Sequence, residues 1–214
     1  MMNSAVAIRF FKREMTTMPI LDREVDLFPG DLLERCIAEN AANDSSMNLE
    51  PLEVPRWFAM YTLARYEKKL MRQLFDRKIG YYAPVIEKRY RSAAGRVRTS
   101  YMPLFSNYVF MYGTEEDRYN AVSTGSISRW VPVKDASRLI TDLKQIRDLI
   151  ATGAAITPEA RLEAGDKVRV RTGPFAGFYG VVTKRQGETR LLVFVDFMGQ
   201  GASVHIEDCQ LDPW

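Results

Sequence analysis

Histidine and cysteine are nearly missing from this chain. Of its 214 residues one is histidine, His205, and two are cysteines, Cys36 and Cys209. One imidazole and two distant thiols do not supply the four ligands of an ordinary zinc site. Long apolar runs are missing too. No segment approaches the ~18 residues that a membrane helix needs, and the opening MMNSAVAIRFFKRE lacks the apolar core and cleavage site of an export signal. No phosphate-binding loop is present, because the glycines of Gly173-Pro174-Phe175-Ala176-Gly177-Phe178 sit between strand patterns rather than before a helix. Serine, aspartate and glutamate fall into no acid–base constellation. These absences argue against an enzyme and predict a cytoplasmic binding protein with no cofactor, no metal and no membrane partner. Its two thiols are expected to be small buried hydrophobes rather than a disulfide.

What is present is charge, unevenly placed. The net charge of +3 hides a strong division. Residues 1–54 hold 5 basic and 10 acidic side chains, residues 55–101 hold 12 and 3, and residues 102–214 hold 13 and 14. One 47-residue block therefore carries the positive potential of the molecule. Such a block is the footprint expected for a polyanion.

The acidic leader, 1–54, reads as partly disordered, with a short capped helix after Pro29-Gly30-Asp31 through Leu32, Leu33, Cys36 and Ile37, and a linker from Ala41 to Glu50. Its charge is opposite to that of the block that follows, so it is also able to screen that block in cis. Order begins at Pro55. Arg56 to Thr62 reads as a strand, and Ala64 to Lys78 as a helix ended by Gly80. Leu70, Met71 and Leu74 form the inner face of that helix, while Arg65, Lys68, Lys69 and Arg72 at i, i+3, i+4 and i+7 form a cationic stripe. The stripe is either a solvated surface or a nucleic-acid contact. Tyr81 to Tyr90 and Arg96 to Ser100 read as a basic hairpin with Arg89, Arg91, Arg96 and Arg98 near its tip, and Pro84 marks an edge or bulge. In Met102 to Tyr112, Tyr108, Phe110 and Tyr112 share one strand face, with Val109 and Met111 on the other. Apolar character on both faces predicts a central strand. The aromatic face is either core or an exposed docking patch. Asp135 to Ile150 reads as a helix with Leu139, Leu143, Ile146 and Ile150 at core spacing, and 152–162 as a linker.

The stretch GDKVRVRTGPFAGFYGVV at 165–182 alternates valine with cations, turns on glycines, and returns as a second strand. It resembles the KOW motif that closes NusG-type transcription factors. Trp57 to Tyr61, the helix after it, PLFSNYVF at 103–110 and Ser128-Arg129-Trp130-Val131-Pro132 resemble the N-terminal domain of the same family, in the same order. Ser106-Asn107 before the tyrosine, and Glu67-Lys68-Lys69, are similar to specialised paralogues of the RfaH/UpxY kind. The resemblance implies an α+β protein: an antiparallel-sheet α/β sandwich over 55–151, the linker, and a small all-β SH3-like barrel over 163–214.

It further implies a monomeric elongation and antitermination factor serving specific operons. Tyr61, Phe105, Tyr108 and Phe110 match positions that dock on the β′ clamp helices of RNA polymerase. Arg118, Tyr119 and Asn120 fall where relatives of the RfaH kind meet the β gate loop. Arg65, Lys68, Lys69 and Arg72, with Arg96 and Arg98 of the hairpin, would face the non-template DNA strand. Phe175, Phe197 and Met198 match the barrel positions that engage a ribosomal protein or Rho, and alternatively plug the barrel end. Paralogues of the RfaH kind refold this last domain as a helical hairpin over the clamp site; the valine content here favours strands. The competing reading is a ribosome-associated RNA-binding protein using the KOW barrel and the basic hairpin, which would leave Tyr108 and Phe110 in the core. If the leader screens the basic block, deleting residues 1–50 is expected to tighten DNA binding at low salt; unchanged affinity would sink the screening idea.

Overall fold

The computed structural model describes residues 26–36, 54–93, 95–160, 165–185, 187–207 and 210–213. The first domain is built on a five-stranded antiparallel sheet in the order β1-β3-β6-β2-β7. Its strands are β1 (Leu27–Phe28), β2 (Arg56–Thr62), β3 (Gly80–Tyr82), β6 (Tyr108–Gly113) and β7 (Ile127–Pro132). Helix α1 (Glu67–Asp76), helix α2 (Glu115–Val122) and helix α3 (Ala136–Ala151) complete the layers. The central strand β6 explains the sandwich. Val109 and Met111 join Phe58, Met60, Leu70, Met71 and Leu74 under α1, whereas Phe110 joins Trp57, Ala59, Leu139, Leu143 and Ile146 under α3. Two apolar faces on one strand require a cover on each side, and the helices supply it.

Helix α1 is shorter than its sequence pattern. It starts at Glu67 because Arg65 sits at φ +65°, outside the helix. Its end is a Schellman motif. Lys78 takes φ +60°, its N–H donates to Phe75 O at 3.0 Å, and the Ile79 N–H donates to Leu74 O at 3.0 Å. The left-handed position therefore falls on Lys78, and Gly80 opens β3 instead. The Lys78 ammonium lies 4.6 Å from the centroid of Phe75 and 5.7 Å from that of Phe28, a cation–π contact that offsets part of the backbone cost.

The leader is more than a tail. Residues Leu27 and Phe28 pair with Tyr82 and Tyr81, adding an edge strand to the sheet. A helical turn over 32–36, at the place where the capped helix is expected, buries Leu32, Leu33 and Cys36. Glu34 on the same turn pairs with Arg147 at 2.6 Å and Lys144 at 3.9 Å on α3. So this part of the leader engages the sheet edge and α3, and Phe28 also packs edge-on against Phe75 of α1 at 5.0 Å. Leader residues 1–25 and 37–53, Ile37 among them, and Cys209 lie outside the described ones.

Pro84 ends the pairing of β3 with β6. Beyond it β4 (Val85–Arg91) and β5 (Val97–Pro103) form a separate two-stranded ribbon. The C-terminal domain is a six-stranded antiparallel sheet, β13-β9-β10-β11-β12-β8. It comprises β8 (Ile156–Glu159), β9 (Asp166–Val170), β10 (Tyr179–Arg185), β11 (Glu188–Val195), β12 (Gln200–His205) and β13 (Leu211–Pro213). Val168, Val170, Val193, Val195, Ala202 and Val204 form its core. Gly180 is required where β10 passes β11, since a Cβ there would stand 2.2 Å from Leu192 O. The expected linker contains a strand. β8 pairs with β12, and buried Glu159 accepts from Ser203 Oγ at 2.6 Å. Pro158 is compatible because β8 is an edge.

Leu33 is fully buried in the packed leader turn. Leu33→Ala is expected to cost ~2–5 kcal/mol in a denaturant titration, and a chain lacking residues 1–36 should lose at least as much. A leader that merely trails from the domain would leave both midpoints unchanged. Because a 1–50 deletion also removes β1, the screening test is cleaner with residues 1–25 removed.

Candidate functional site

The register of β2, β6 and β7 assembles an aromatic face. Tyr61 stands opposite Tyr108 on β6 and opposite Arg129 on β7. The two tyrosine rings are 4.5 Å apart, and the Arg129 guanidinium lies 4.0 Å from the Tyr61 centroid. Burial, followed by a hydroxyl hydrogen bond with Tyr61, pushes the Tyr108 phenol up to about 12. Both are half-buried, with surface left for a partner. Phe110 and Phe105 are different: they are 0% and 2% exposed and lie in the core. Of the four expected contact aromatics, the structure presents two at the surface. It adds Arg129, which the sequence marks only by its place beside Trp130.

The loop before β6 holds this face. Asn107 takes φ +66°, and its N–H donates to the Glu67 carboxylate at 2.7 Å. Its carbonyl accepts from Thr62 N–H at 2.9 Å, tying the ends of β2 and β6 together. Glu67 is buried in this role, so the acid in the Glu67-Lys68-Lys69 run points inward and leaves the cations exposed to solvent. Lys69 and Arg72 are exposed and Lys68 half-buried. Burial and then the Arg72 charge push the Lys68 ammonium below its usual range. Lys69 lies 4.7 Å over Tyr66. Arg65 is exposed but off the helix, so the helical stripe is Lys68, Lys69 and Arg72. Arg96 and Arg98 are exposed on the ribbon, remote in sequence from the stripe.

The expected gate-loop residues divide. Arg118 stacks 4.1 Å over Trp130 and pairs with Glu115, which also holds Arg56. Tyr119 is 69% exposed and Asn120 is exposed. All three sit in the middle turns of α2, whose start is a Thr114–Asp117 capping box.

On the C-terminal domain, Phe175 is buried, with its ring edge-on to Phe178 at 6.2 Å. Phe197 and Met198 are half-buried in the 3-10 turn Asp196–Met198, closed by Gly199 at φ +61°. Phe197 and Asp196 line a groove whose other wall is Val131, Pro132, Lys134, Asp135, Arg138 and Leu139 of the first domain. The two domains are therefore docked. The Gln145 amide accepts from Tyr179 N–H at 2.9 Å and donates to Tyr179 O at 3.0 Å. Asp142 Oδ2 accepts from Asp196 N–H at 2.9 Å, and Arg138 pairs with the Asp196 carboxylate. The sequence showed only the apolar face of α3; Asp142 and Gln145 carried no signal of burial.

Among the described residues no group of three or more His, Cys, Asp and Glu is placed to hold a metal ion, and no helix is long and apolar enough to cross a membrane. The surfaces on offer are an aromatic face, cationic patches and a docked β domain, the equipment of a binding protein. A family model described as transcription termination factor nusG matches residues 55–157, and one described as KOW motif matches residues 164–196. The transcription termination/antitermination protein NusG of Staphylococcus aureus strains Mu50 / ATCC 700699, N315 and MW2 is 26% identical over 178 residues, covering 76% of this chain and 98% of each relative. This chain is a NusG-type factor, with the family's N-terminal and KOW domains in the family's order.

The docking contact carries a pH dependence. Burial pushes the Asp142 carboxyl up to about 6, with the Asp196 amide and the Arg138 charge pulling down and the Asp196 and Asp135 charges adding to the push. An unfolded aspartate titrates near ~3.9. Protonation of Asp142 thus favours the folded, docked form: the contribution is whole below about pH 4 and is lost as pH rises through about 6. Asp142→Asn keeps an oxygen for Asp196 N–H without the charge. It is expected to gain on the order of 2 kcal/mol over the wild type between pH 4 and pH 7, read from denaturant midpoints. Parallel pH profiles for the two proteins would show that Asp142 is not the group responsible.

Proposed function

We propose that this NusG-family transcription termination/antitermination factor acts as a processivity factor that docks on the β′ clamp helices of RNA polymerase. The observation that carries the reading is the Tyr61–Tyr108 pair with Arg129 stacked on it, half-exposed on a rigid three-strand platform. Tyrosine and arginine are enriched at interface hot spots, tyrosine because it offers large area with few rotors and arginine because its planar guanidinium stacks on aromatic rings. Phe105 and Phe110 hold that pair from beneath. Tyr119 and Asn120 are suited to a β gate-loop contact, since Arg118 is already engaged with Trp130 and Glu115. Lys68, Lys69 and Arg72, with Arg65 beside them, suit the phosphates of the exposed non-template strand. The chain works as a monomer in the cytoplasm, and the Ser106-Asn107 and Glu67-Lys68-Lys69 stretches support a specialised factor of the RfaH/UpxY kind that serves particular operons.

The KOW domain would engage a ribosomal protein or Rho through the Phe197-Met198 turn. In the docked arrangement this turn lies against the first domain, so that engagement follows undocking. Burial of Phe110 is the one observation on the side of the ribosome-associated RNA-binding reading. The accessible tyrosines outweigh it, because a core aromatic row would need no surface at Tyr61 or Tyr108.

Core RNA polymerase binding by the full chain tests the proposal. A Tyr61→Ala, Tyr108→Ala double variant is expected to lose at least ~2 kcal/mol of affinity, with Lys69→Glu, Arg72→Glu weakening nucleic-acid binding mainly at low salt. Undiminished polymerase binding by a folded double variant would overturn the clamp reading, and full-length protein that sediments with ribosomes instead would favour the alternative.

A further inference from the structure

The β4–β5 ribbon is the one two-stranded sheet among the described residues, and its strands pair only with each other. Val85 anchors its base in the core under α1, while Glu87 to Arg91 are all exposed. A ribbon this open on both faces buries little apolar surface, so its composition is free of packing constraints. That composition is segregated. Directly opposed residues share a face, and the register pairs Tyr90 with Arg98, Lys88 with Ser100 and Ile86 with Met102. Alternation adds Arg96 at the tip. This face thus presents Lys88, Arg96 and Arg98 around Tyr90, with exposed Met102 below and no acid. The opposite face holds Glu87, which pairs with Arg89 at 2.6 Å, together with Arg91, Val97, Thr99 and Tyr101. The only carboxylate of the ribbon is therefore spent on the other side.

We propose that the Tyr90 face of this ribbon is a binding platform for single-stranded DNA, with Tyr90 stacking on a base and Lys88, Arg96 and Arg98 taking phosphates. The proposal rests on the nucleic-acid part of the function given above and adds a site to it. Tyr90 is 46% exposed, a large aromatic surface left in water at the centre of a cation row. Aromatic stacking flanked by cations is how sequence-tolerant single-strand sites are built. Cations two residues apart on a strand stand roughly 6.8 Å apart, a spacing that suits the stepped phosphates of an extended strand. A duplex would use the cations but not the ring, because its base faces are already stacked. Tyr90 stands directly across from Arg98 in the register, and such a cross-strand pair also supports the ribbon, so the test must separate the two roles.

The full-length chain is titrated against fluorescent oligo-dT, a duplex of the same length and oligo-U. Tyr90→Ala is expected to weaken oligo-dT binding roughly tenfold and to leave the duplex within about twofold, with the thermal midpoint unchanged. Tyr90→Phe, which keeps the ring, should bind oligo-dT as the wild type does. Arg98→Gln should flatten the salt dependence by about 0.7 in log–log slope, and Arg91→Gln on the opposite face should lose less affinity than Arg98→Gln. Wild-type oligo-dT affinity in Tyr90→Ala, or an equal loss for the duplex, overturns the platform. Tighter binding of oligo-U than oligo-dT overturns DNA as its occupant. Polymerase binding by the same proteins keeps the two proposals apart. Its persistence beside an unaltered oligo-dT affinity in Tyr90→Ala sinks only the platform. A wild type that binds oligo-dT but no polymerase sinks only the clamp reading.

Discussion

Helix α3 is buried from two sides, and the arrangement of the whole molecule follows from that. Leu139, Leu143, Ile146 and Ile150 face the first sheet, as ordinary amphipathic spacing requires. Asp142 and Gln145, on another stripe, are buried as well. A buried carboxylate or amide without partners costs about 1–3 kcal/mol or more, so this stripe is tolerable only with an exact set of donors and acceptors against it. The second domain supplies them from backbone: Tyr179 gives both its N–H and its C=O to Gln145, and Asp196 gives its N–H to Asp142. Gln145 in effect stands where a neighbouring strand would. Polar docking of this kind fixes register more sharply than an apolar patch, since a shift of one residue would leave every group unpaired.

The same economy governs the aromatic face. A residue at φ +66° between Phe105 and Tyr108 would be met most cheaply by glycine, and asparagine is the next best choice. The Ser106-Asn107 form therefore keeps the turn that glycine would allow. Asn107 N–H reaches the Glu67 carboxylate, so two stretches that look unrelated in sequence, the turn and the start of α1, are one structural unit. Turning Glu67 inward also removes an acid from the cationic surface of that helix, leaving exposed Asp76 in the last turn as its one carboxylate. One hydrogen bond thereby links the geometry of the tyrosine pair to the charge of the adjacent stripe.

Much of this was legible in the sequence, and what was not has identifiable causes. The two-faced apolar run of Tyr108 to Tyr112 marked the central strand, and the valine alternation after Gly165 marked the second domain, because period-two patterns survive whatever the tertiary context. Strand β8 escaped because Ile156-Thr157-Pro158-Glu159 is short, carries a proline and follows a Gly-Ala-Ala run, as a linker would; only pairing with β12 makes it a strand. The leader strand escaped because two residues on a sheet edge have no periodicity to read. The extent of α1 was overestimated at both ends, where Arg65 and Lys78 adopt left-handed conformations that composition does not announce. Burial of Phe105 and Phe110 was a matter of depth, which a strand pattern cannot convey: it assigns a face, not a distance from solvent. The docking of the domains left no trace at all, since Asp142 and Gln145 read as solvated helix surface.

That last silence bears on regulation. The Asp196–Met198 turn is held by Asp142 and Arg138, and Phe197 of that turn lines the groove between the domains. A turn cannot bind the helix and an external partner with the same atoms at once. Whatever free energy holds the domains together is subtracted from any contact the turn makes elsewhere, and the apparent affinity of a partner falls with the fraction of undocked molecules. The hydrogen-bonded part of the docking contact is suited to this role, because each bond to the helix can be replaced by one to water or to a partner at small net cost. The apolar part is not: Leu139, Leu143 and Ile146 of α3 share one continuous core with Leu191, Val193 and Val195 of β11, and its exposure would oppose opening. Asp142 and Gln145 therefore set where the domains meet, and the apolar core sets how firmly.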